Sequence, residues 1–254
     1  MQFLYAFGLV LICVFLGAAG GDGARERLPG IMGSDDRVIL DTSAWPWAAV
    51  GRVNRETGGF CTGTLVAANL VLTAAHCLYN NRTGKRVAPH TLHFVGGYRR
   101  GKYVAHAVAR AAFHPAAFAF RGTNGLERAA NDWAVLVLAA PIATKPIPVR
   151  SLSAQNLTSL PRDRLMRAGY SQDRPHLLSL HNGCGVAGDV NGGPVLIHTC
   201  DATRGDSGSP LIIMTNEGPF VVGMIMGVTK AGNDERGLAV HASAFLETLD
   251  KYRK

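Results

Sequence analysis

From Trp47 onward the chain is divided into short apolar segments, each bounded by Gly, Asn or Pro. Segments of this length with β-branched and aromatic residues are typical of strands rather than helices. The first set is predicted at 48–53, 62–67, 70–73, 91–95, 105–112 and 133–138. The 30 glycines and 12 prolines are spread between the segments instead of concentrated in one tract, as tight turns between strands require. The pattern predicts an all-β protein.

A proline-punctuated connection near 141–160 separates this set from a second one. The second set is predicted at 165–169, 176–180, 194–198, 211–214, 220–225 and 237–240. Two β-rich halves of this kind favour a pair of packed barrels or sandwiches, which we place at 31–145 and 146–254. In the last segment, 242–252, Phe245, Leu246 and Leu249 recur at helical spacing, so we expect a C-terminal helix on the second half.

The first residues have the composition of an export signal. Residues 3–19 are apolar and uncharged, and Ala18 and Gly20 provide small side chains for cleavage, so we interpret 1–20 as a signal peptide. The polar stretch 21–30 is a possible pro-segment. Because Met1-Gln2 carries no Lys or Arg, an uncleaved anchor remains an alternative. We expect a secreted protein, extracellular or periplasmic, with no other membrane association.

The cysteine count agrees with export. Cys13 lies within the leader, which leaves four cysteines for a mature chain: Cys61, Cys77, Cys184 and Cys200. An even number in an exported protein favours two disulfides. The alternative, zinc held by cysteines together with His76 or His198, lacks a close Cys-x-x-Cys pair. We therefore expect neither a metal nor a cofactor.

The net charge of +8 makes the protein basic. Apart from the run at 99–102, the Lys and Arg residues are dispersed, which is typical of a solvated surface rather than a nucleic-acid site. We expect protein or peptide substrates, no specific nucleic-acid partner and a monomer.

Three separate positions supply the parts of a hydrolytic site. Ser207 lies in a glycine-rich loop, and a serine hydroxyl becomes a useful nucleophile only when a base removes its proton. His76, at the end of an apolar strand, can be that base. Asp132, directly ahead of the strand 133–138, can hold the imidazole in the correct tautomer.

With these motifs the chain resembles the chymotrypsin/trypsin-like serine proteases. The resemblance rests on 73–77, 131–136 and 205–210, in the family's order, and covers roughly 31–250. It is closer to the bacterial-type, glutamyl-endopeptidase-like branches, since 202–206 contains no cysteine. It implies two packed six-stranded antiparallel β-barrels with a C-terminal helix, and peptide-bond hydrolysis through an acyl-enzyme intermediate by His76, Asp132 and Ser207.

The resemblance also implies supporting roles. The backbone N–H groups of Gly205 and Ser207 would form the oxyanion hole. The disulfides would be Cys61–Cys77, which fixes the histidine loop, and Cys184–Cys200. In the family a newly freed N-terminus pairs with the aspartate before the nucleophile. Ile31 and Asp206 would do so here in a zymogen cleaved after Gly30, with cleavage after Arg27 as the next choice.

Substrate preference is the least determined property. Asp201, six residues before Ser207, falls where an acid at the base of the specificity pocket would select Lys or Arg at P1. Glutamate-specific relatives place a histidine at the pocket wall where this chain has Ile225. The alternatives are a glutamyl-type enzyme, one selecting small or apolar P1 residues, and a non-catalytic homologue that acts as a basic binding protein.

The residues after this position are expected to bind the backbone of the substrate. In the family that this chain resembles, one segment pairs with an extended peptide as an added strand, and it corresponds here to Met226, Gly227 and Val228. We therefore expect substrate contacts at Ile225, Met226, Gly227 and Val228 together with Asp201.

Overall fold

The computed structural model describes residues 28–253 except 122–124, 126–128 and 232–233. The predicted signal peptide, 1–20, and most of the possible pro-segment lie outside the described residues. The strands are β1 (Val38–Ile39), β2 (Val50–Arg55), β3 (Phe60–Ala67), β4 (Leu70–Thr73), β5 (Leu92–Gly96), β6 (Ala105–Phe113), β7 (Ala134–Leu138), β8 (Leu165–Gly169), β9 (Ser179–Asn182), β10 (Val186–Asp189), β11 (Val195–His198), β12 (Pro210–Thr215), β13 (Gly218–Ala231) and β14 (Asp234–His241). The all-β prediction is confirmed.

The first half forms a closed six-stranded antiparallel barrel in the order β2-β3-β4-β7-β6-β5. Strands β4 and β7 are buried along their whole length. Their leucines and valines pack with Phe94 and Leu65 in a core that also receives residues of the second half. This burial of apolar area is what joins the two halves.

The second half forms an eight-stranded antiparallel sheet in the order β1-β9-β8-β12-β13-β14-β11-β10, in place of the expected second six-stranded barrel. Two short strands account for the difference. Strand β1 extends the sheet at β9, with Val38 opposite Leu180, and β10 extends it at β11. Residues 31–39, which we assigned to the first half, therefore lie along the second sheet.

Two helices complete the described part of the chain. Helix α1 (Ala154–Thr158) begins at Ser153, whose hydroxyl accepts the Asn156 N–H at 3.1 Å, the usual role of a serine cap. Helix α2 (Leu246–Tyr252) is the predicted C-terminal helix, and it buries Leu249. Within the described residues, neither helix has the length and apolar composition to span a membrane.

Thr62 of β3 joins the two halves next to the Ser207 loop. Its N–H donates to the Ser207 carbonyl at 2.9 Å, and its hydroxyl donates to the Gly205 carbonyl at 3.1 Å. The same hydroxyl accepts the N–H of Tyr170 at 2.9 Å. A single buried side chain thus fixes the glycine-rich loop of the second half against the first barrel.

Candidate active site

His76 and Asp132 meet because the strands that precede and follow them are paired. Thr73, at the end of β4, lies opposite Ala134, at the start of β7. His76 follows in a 3-10 turn, Ala75–Leu78, while Asp132 stands just ahead of β7. Both oxygens of Asp132 are used: one accepts the His76 backbone N–H at 2.9 Å and the other contacts Nδ1 at 2.7 Å.

This contact determines the tautomer of the imidazole. In the neutral ring one nitrogen carries the proton and the other accepts, and the carboxylate places the proton on Nδ1. Nε2 of His76 is then the acceptor, as a general base requires. The carboxylate also stabilises the cation formed when Nε2 takes up a proton.

Ser207 lies in a loop that is packed against the strands leading to His76. Its carbonyl accepts from Thr62, whose own carbonyl accepts the Thr73 hydroxyl at 2.7 Å. Gly208 donates to the Ile225 carbonyl at 2.7 Å, which fixes the other side of the loop to β13. Ser207 itself remains partly exposed. The structure therefore places the predicted nucleophile at the junction of the two halves.

Gly205 and Gly208 shape this loop because each has a positive φ and no room for a side chain. Gly205 has φ +96°, and an added Cβ would lie 2.6 Å from the Tyr170 carbonyl oxygen and 2.9 Å from the Phe60 ring. At Gly208 the Cβ would collide with the Thr62 carbonyl oxygen. Among the described residues, no protein group accepts the N–H of Gly205 or of Ser207. Both amides have the freedom that an oxyanion hole requires.

Asp206 is completely buried, and in the uncleaved chain its charged partner is Arg167. One oxygen contacts Nη1 of Arg167 at 3.0 Å; the other accepts the Ser171 hydroxyl at 2.6 Å and the Thr203 N–H at 2.9 Å. Ile31 is buried elsewhere in this uncleaved chain, and its N–H donates to the Leu28 carbonyl at 3.1 Å. The expected Ile31–Asp206 pair requires a freed N-terminus and stays a prediction; in the uncleaved chain Arg167 supplies the positive charge beside Asp206.

Arg167 is the residue that our sequence reasoning missed. It lies at the centre of the otherwise uncharged strand β8, and its side chain has no solvent exposure. Besides Asp206 it reaches the carbonyl groups of Asp201 and Ser179. A single cation within a predicted buried strand was the available signal, since a buried charge requires a partner.

Asp201 is also buried, and its carboxylate is already occupied. One oxygen accepts the Met32 N–H at 2.7 Å, and the other accepts the Asp36 N–H at 3.2 Å. Burial raises the pKa of Asp201, but the His181 ring and these two amides together lower it by more than burial raises it, so the pKa lies below the usual range. This geometry corrects the expected pocket role, because the carboxylate holds the N-terminal segment instead of facing a substrate side chain.

Met226, Gly227 and Val228, which we expected to pair with the substrate backbone, lie on a part of β13 that has a free edge. Strand β12 pairs with β13 only as far as Met224, whereas β14 continues along β13 to Ala231. Among the described strands, none covers the other side of 226–228, and Val228 is 41% exposed. An extended peptide could therefore add to β13 here.

The strand is less regular at this point than the sequence suggested. Its register against β14 shifts between Ile225 and Gly227, so Met226 is the extra residue of a β-bulge on the β14 side. The expected pairing of 226–228 with a substrate concerns the opposite edge of β13 and stays a prediction. Met226 is partly buried and packs against the core shared by the two halves. Gly227 lies opposite Leu238, and a Cβ added to it would meet nothing within 4 Å, so Gly227 keeps an open face, whereas the Val228 side chain lies beside Gly30.

Ile225 does not have the exposed position that a pocket wall requires. It is 1% exposed and lies in the core cluster of the second half. Its backbone groups are also occupied, since its N–H donates to the Ser209 carbonyl at 2.8 Å and its carbonyl accepts from Gly208. The expected contact of Ile225 with a substrate is therefore corrected to a role in the core.

Both predicted disulfides are formed. Cys61–Cys77 joins β3 to the turn that carries His76, and Cys184–Cys200 joins the segment after β9 to the segment after β11. Cys61, Cys77 and His76 lie close enough together to suggest a metal site. Because the two sulfurs are bonded to each other, neither offers a thiolate to a metal.

Comparison with known proteins agrees with this geometry. Curated relatives match over short stretches: a glutamyl endopeptidase of Bacillus licheniformis is 34% identical over 62 residues, and serine protease SSP1 of Scolopendra subspinipes is 33% identical over 79. These stretches cover 24% and 29% of this chain, and only 19% and 28% of the relatives.

The fold and the family are matched over most of the chain. A solved structure of a Glu endopeptidase superposes with a TM-score of 0.71 at 21% identity, covering 88% of this chain and 99% of that one. The family model described as Trypsin matches residues 40–249. The chain belongs to the trypsin family.

Proposed function

We propose that this protein is a secreted serine endopeptidase that hydrolyses peptide bonds through an acyl-enzyme intermediate. The two-point contact between Asp132 and His76 carries the proposal, because it leaves Nε2 as an acceptor in a chain that matches the trypsin family. In this mechanism Nε2 takes the Ser207 hydroxyl proton as the oxygen attacks the scissile carbonyl. The imidazolium then protonates the leaving amine, and water repeats the sequence to release the acid.

The glycine-rich loop would stabilise the tetrahedral intermediates. The N–H groups of Gly205 and Ser207 donate to the oxyanion, and losing one such donor costs about 10²–10³ in rate. The free edge of β13 at Gly227 and Val228 would align the substrate backbone. The two disulfides support the proposed secretion, since such bonds persist in oxidising compartments.

The test of this function is covalent labelling of Ser207. A fluorophosphonate should modify the wild-type protein at Ser207, and Ser207→Ala should abolish both the labelling and peptide cleavage. Asp132→Asn should keep the fold but lower kcat by about 10⁴, because the amide stabilises the wrong tautomer. A folded wild-type protein that is not labelled would instead support the non-catalytic binding protein.

A glutamyl-type preference at P1 is the second candidate. Selection of Lys or Arg through Asp201 requires a free carboxylate, but both Asp201 oxygens accept backbone N–H groups. The names of the relatives, glutamyl and Glu endopeptidase, support an acidic P1, although the position of Ile225 lacks a histidine.

A matched series of peptides with Lys, Glu or Ala at P1 separates these preferences. We expect that Asp201→Asn leaves the ratio of kcat/KM for Lys to that for Glu unchanged within about twofold, since the carboxylate does not face the substrate. A selective loss of Lys cleavage in Asp201→Asn would restore the basic-P1 interpretation.

A further inference from the structure

Arg37 lies in the N-terminal segment ahead of β1, far in sequence from the loop it contacts. It is 6% exposed, and its guanidinium holds two carboxylates at once. Nε and Nη2 contact the two oxygens of Asp35, each at 2.8 Å, and Nη1 and Nη2 contact those of Asp173 at 3.1 and 2.9 Å. Two forked pairs of this kind fix the orientation of the guanidinium plane.

The same guanidinium reaches the loop of the proposed nucleophile through one hydroxyl. Nη1 of Arg37 donates to Oγ of Ser171 at 2.9 Å, and this Oγ donates to Asp206 at 2.6 Å. Ser171 and Asp206 have no solvent exposure. Because Ser171 accepts from a cation, its hydroxyl is polarised toward Asp206, and a buried chain of this kind strengthens each of its bonds.

The backbone around Arg37 contacts the other end of the same loop. The N–H groups of Met32 and Asp36 donate to the Asp201 carboxylate, and Ala202 donates to the Gly30 carbonyl at 2.9 Å. The segment 30–37 thus contacts residues 201–202 directly and Asp206 through Ser171. These contacts lie on both sides of residues 203–205 in the sequence, and this stretch includes Gly205, whose N–H is the first proposed oxyanion donor.

We propose that Arg37 is a positioning residue for the reaction, which holds the loop 203–207 in its active conformation through Ser171 and Asp206. In this role Arg37, a side chain within the N-terminal segment, acts together with Arg167 to order the loop 203–207. A newly freed N-terminus would otherwise order this loop. The inference rests on the proposed function, in which Gly205 and Ser207 form the oxyanion hole.

Kinetics of the full chain provide the test. Arg37→Met should lower kcat by about 10- to 100-fold. This range is the rate factor that corresponds to the loss of one hydrogen bond to a charged group when the whole loss falls on the transition state. KM for a peptide substrate should change by less than about twofold, because Arg37 does not reach the free edge of β13. Ser171→Ala should act in the same direction, and adding Arg37→Met to it should have little further effect.

Arg174→Met is the matched control. The Arg174 side chain contacts the same two carboxylates, Asp35 at 2.6 Å and Asp173 at 3.0 Å, but among the described residues it has no hydrogen bond to Ser171 or Asp206. The Arg174 backbone N–H donates to the Ser171 carbonyl at 3.1 Å, and this bond does not depend on the side chain. Arg174→Met removes one positive charge from the same cluster, and its kcat should stay within about twofold of the wild type. Equal losses in Arg37→Met and Arg174→Met, or additive losses in the Arg37→Met and Ser171→Ala pair, would overturn the proposal.

Hydrogen exchange distinguishes this inference from the proposed function. Amides of 201–207 should exchange at least about tenfold faster in Arg37→Met than in Arg174→Met. The exchange rates of amides in β12 and β13 should be the same in both variants. This measurement does not depend on catalysis, and Ser171→Ala provides it if Arg37→Met does not fold. If a fluorophosphonate does not label the wild-type protein but exchange is faster in Arg37→Met, the proteolytic function would be removed and the positioning role kept. Unchanged exchange would remove the positioning role even if the protein cleaves peptides.

Discussion

Arg167 and Asp206 form an ion pair with no solvent exposure on either side chain, with Nη1 3.0 Å from Oδ1. The two residues lie on β8 and in the Ser207 loop, and Asp206 directly precedes Ser207. Desolvation is costly for both groups, and this cost is offset only while the pair and its additional hydrogen bonds are complete. The pair therefore couples the stability of the fold to the conformation of the loop.

Replacing Arg167 should affect stability and activity together. Arg167→Met leaves Asp206 buried without its cation, which should lower the free energy of unfolding by about 3–5 kcal/mol. Urea denaturation measures this loss, and labelling of Ser207 measures the accompanying disorder of the loop. The double variant Arg167→Met/Asp206→Asn should recover part of the stability, because it also removes the unpaired charge. A single-variant loss below about 1 kcal/mol would be incompatible with a buried ionised pair.

The sequence was sufficient for what depends on local pattern. The strands appear near the predicted positions, because their apolar character is local, and His76 and Asp132 were recognised from motifs at strand ends. The partner of Asp206 was not recognised, since it depends on the pairing of residues 39 positions apart in the chain. The bulge at Met226 was missed because a register shift depends on the neighbouring strand β14. Strand β1 was missed as well, because two exposed residues carry no periodicity and pair only where β9 offers an edge.

Trimming the N-terminus should not activate the protein. A form that begins at Ile31 loses the Gly30 N–H bond to Glu235 at 2.8 Å and the Gly30 carbonyl contact with Ala202. It gains no contact with Asp206, which Arg167 already holds. Relative to a form that begins at Leu28, we expect a stability loss of about 1–2 kcal/mol and no rise in kcat/KM.

The comparison between these two forms requires the N-terminus of each to be verified by mass spectrometry. An increase in kcat/KM of more than about tenfold on trimming would show that the Ile31 ammonium displaces Arg167, as the zymogen prediction requires.

Gly205 should not tolerate a side chain. In Gly205→Ala the Cβ must displace the Tyr170 carbonyl or the Phe60 ring, and a φ of +96° is strained for any L-residue. We expect the rate of fluorophosphonate labelling to fall by about 10²-fold, because one oxyanion donor moves. Gly101→Ala is the matched control: Gly101 has φ +85° but nothing within 4 Å of an added Cβ. Equal labelling of the two variants would show that backbone strain, rather than the loop contact, is what matters.

The buried His198 should make the protein less stable in mild acid. Burial, together with the charge of Arg167, lowers the pKa of His198 from 6.5 to about 3. Nδ1 accepts the Cys200 N–H at 3.1 Å, and no described residue pairs with Nε2, so the ring is held neutral. Between pH 6.5 and about 3 the unfolded state binds a proton that the folded state does not. Stability then falls as the pH falls, by up to about 1.4 kcal/mol per pH unit.

Urea denaturation between about pH 7 and pH 4.5 measures this slope before most carboxylates titrate. His198→Asn keeps an acceptor near the Cys200 N–H and removes the titrating ring, so its stability should depend less on pH than that of the wild type. Burial also lowers the pKa of His241, which contributes equally to both proteins and cancels in their difference. Parallel pH profiles for the two proteins would mean that His198 becomes protonated in the folded state, and that the packing of its ring against Gly237 yields to solvent.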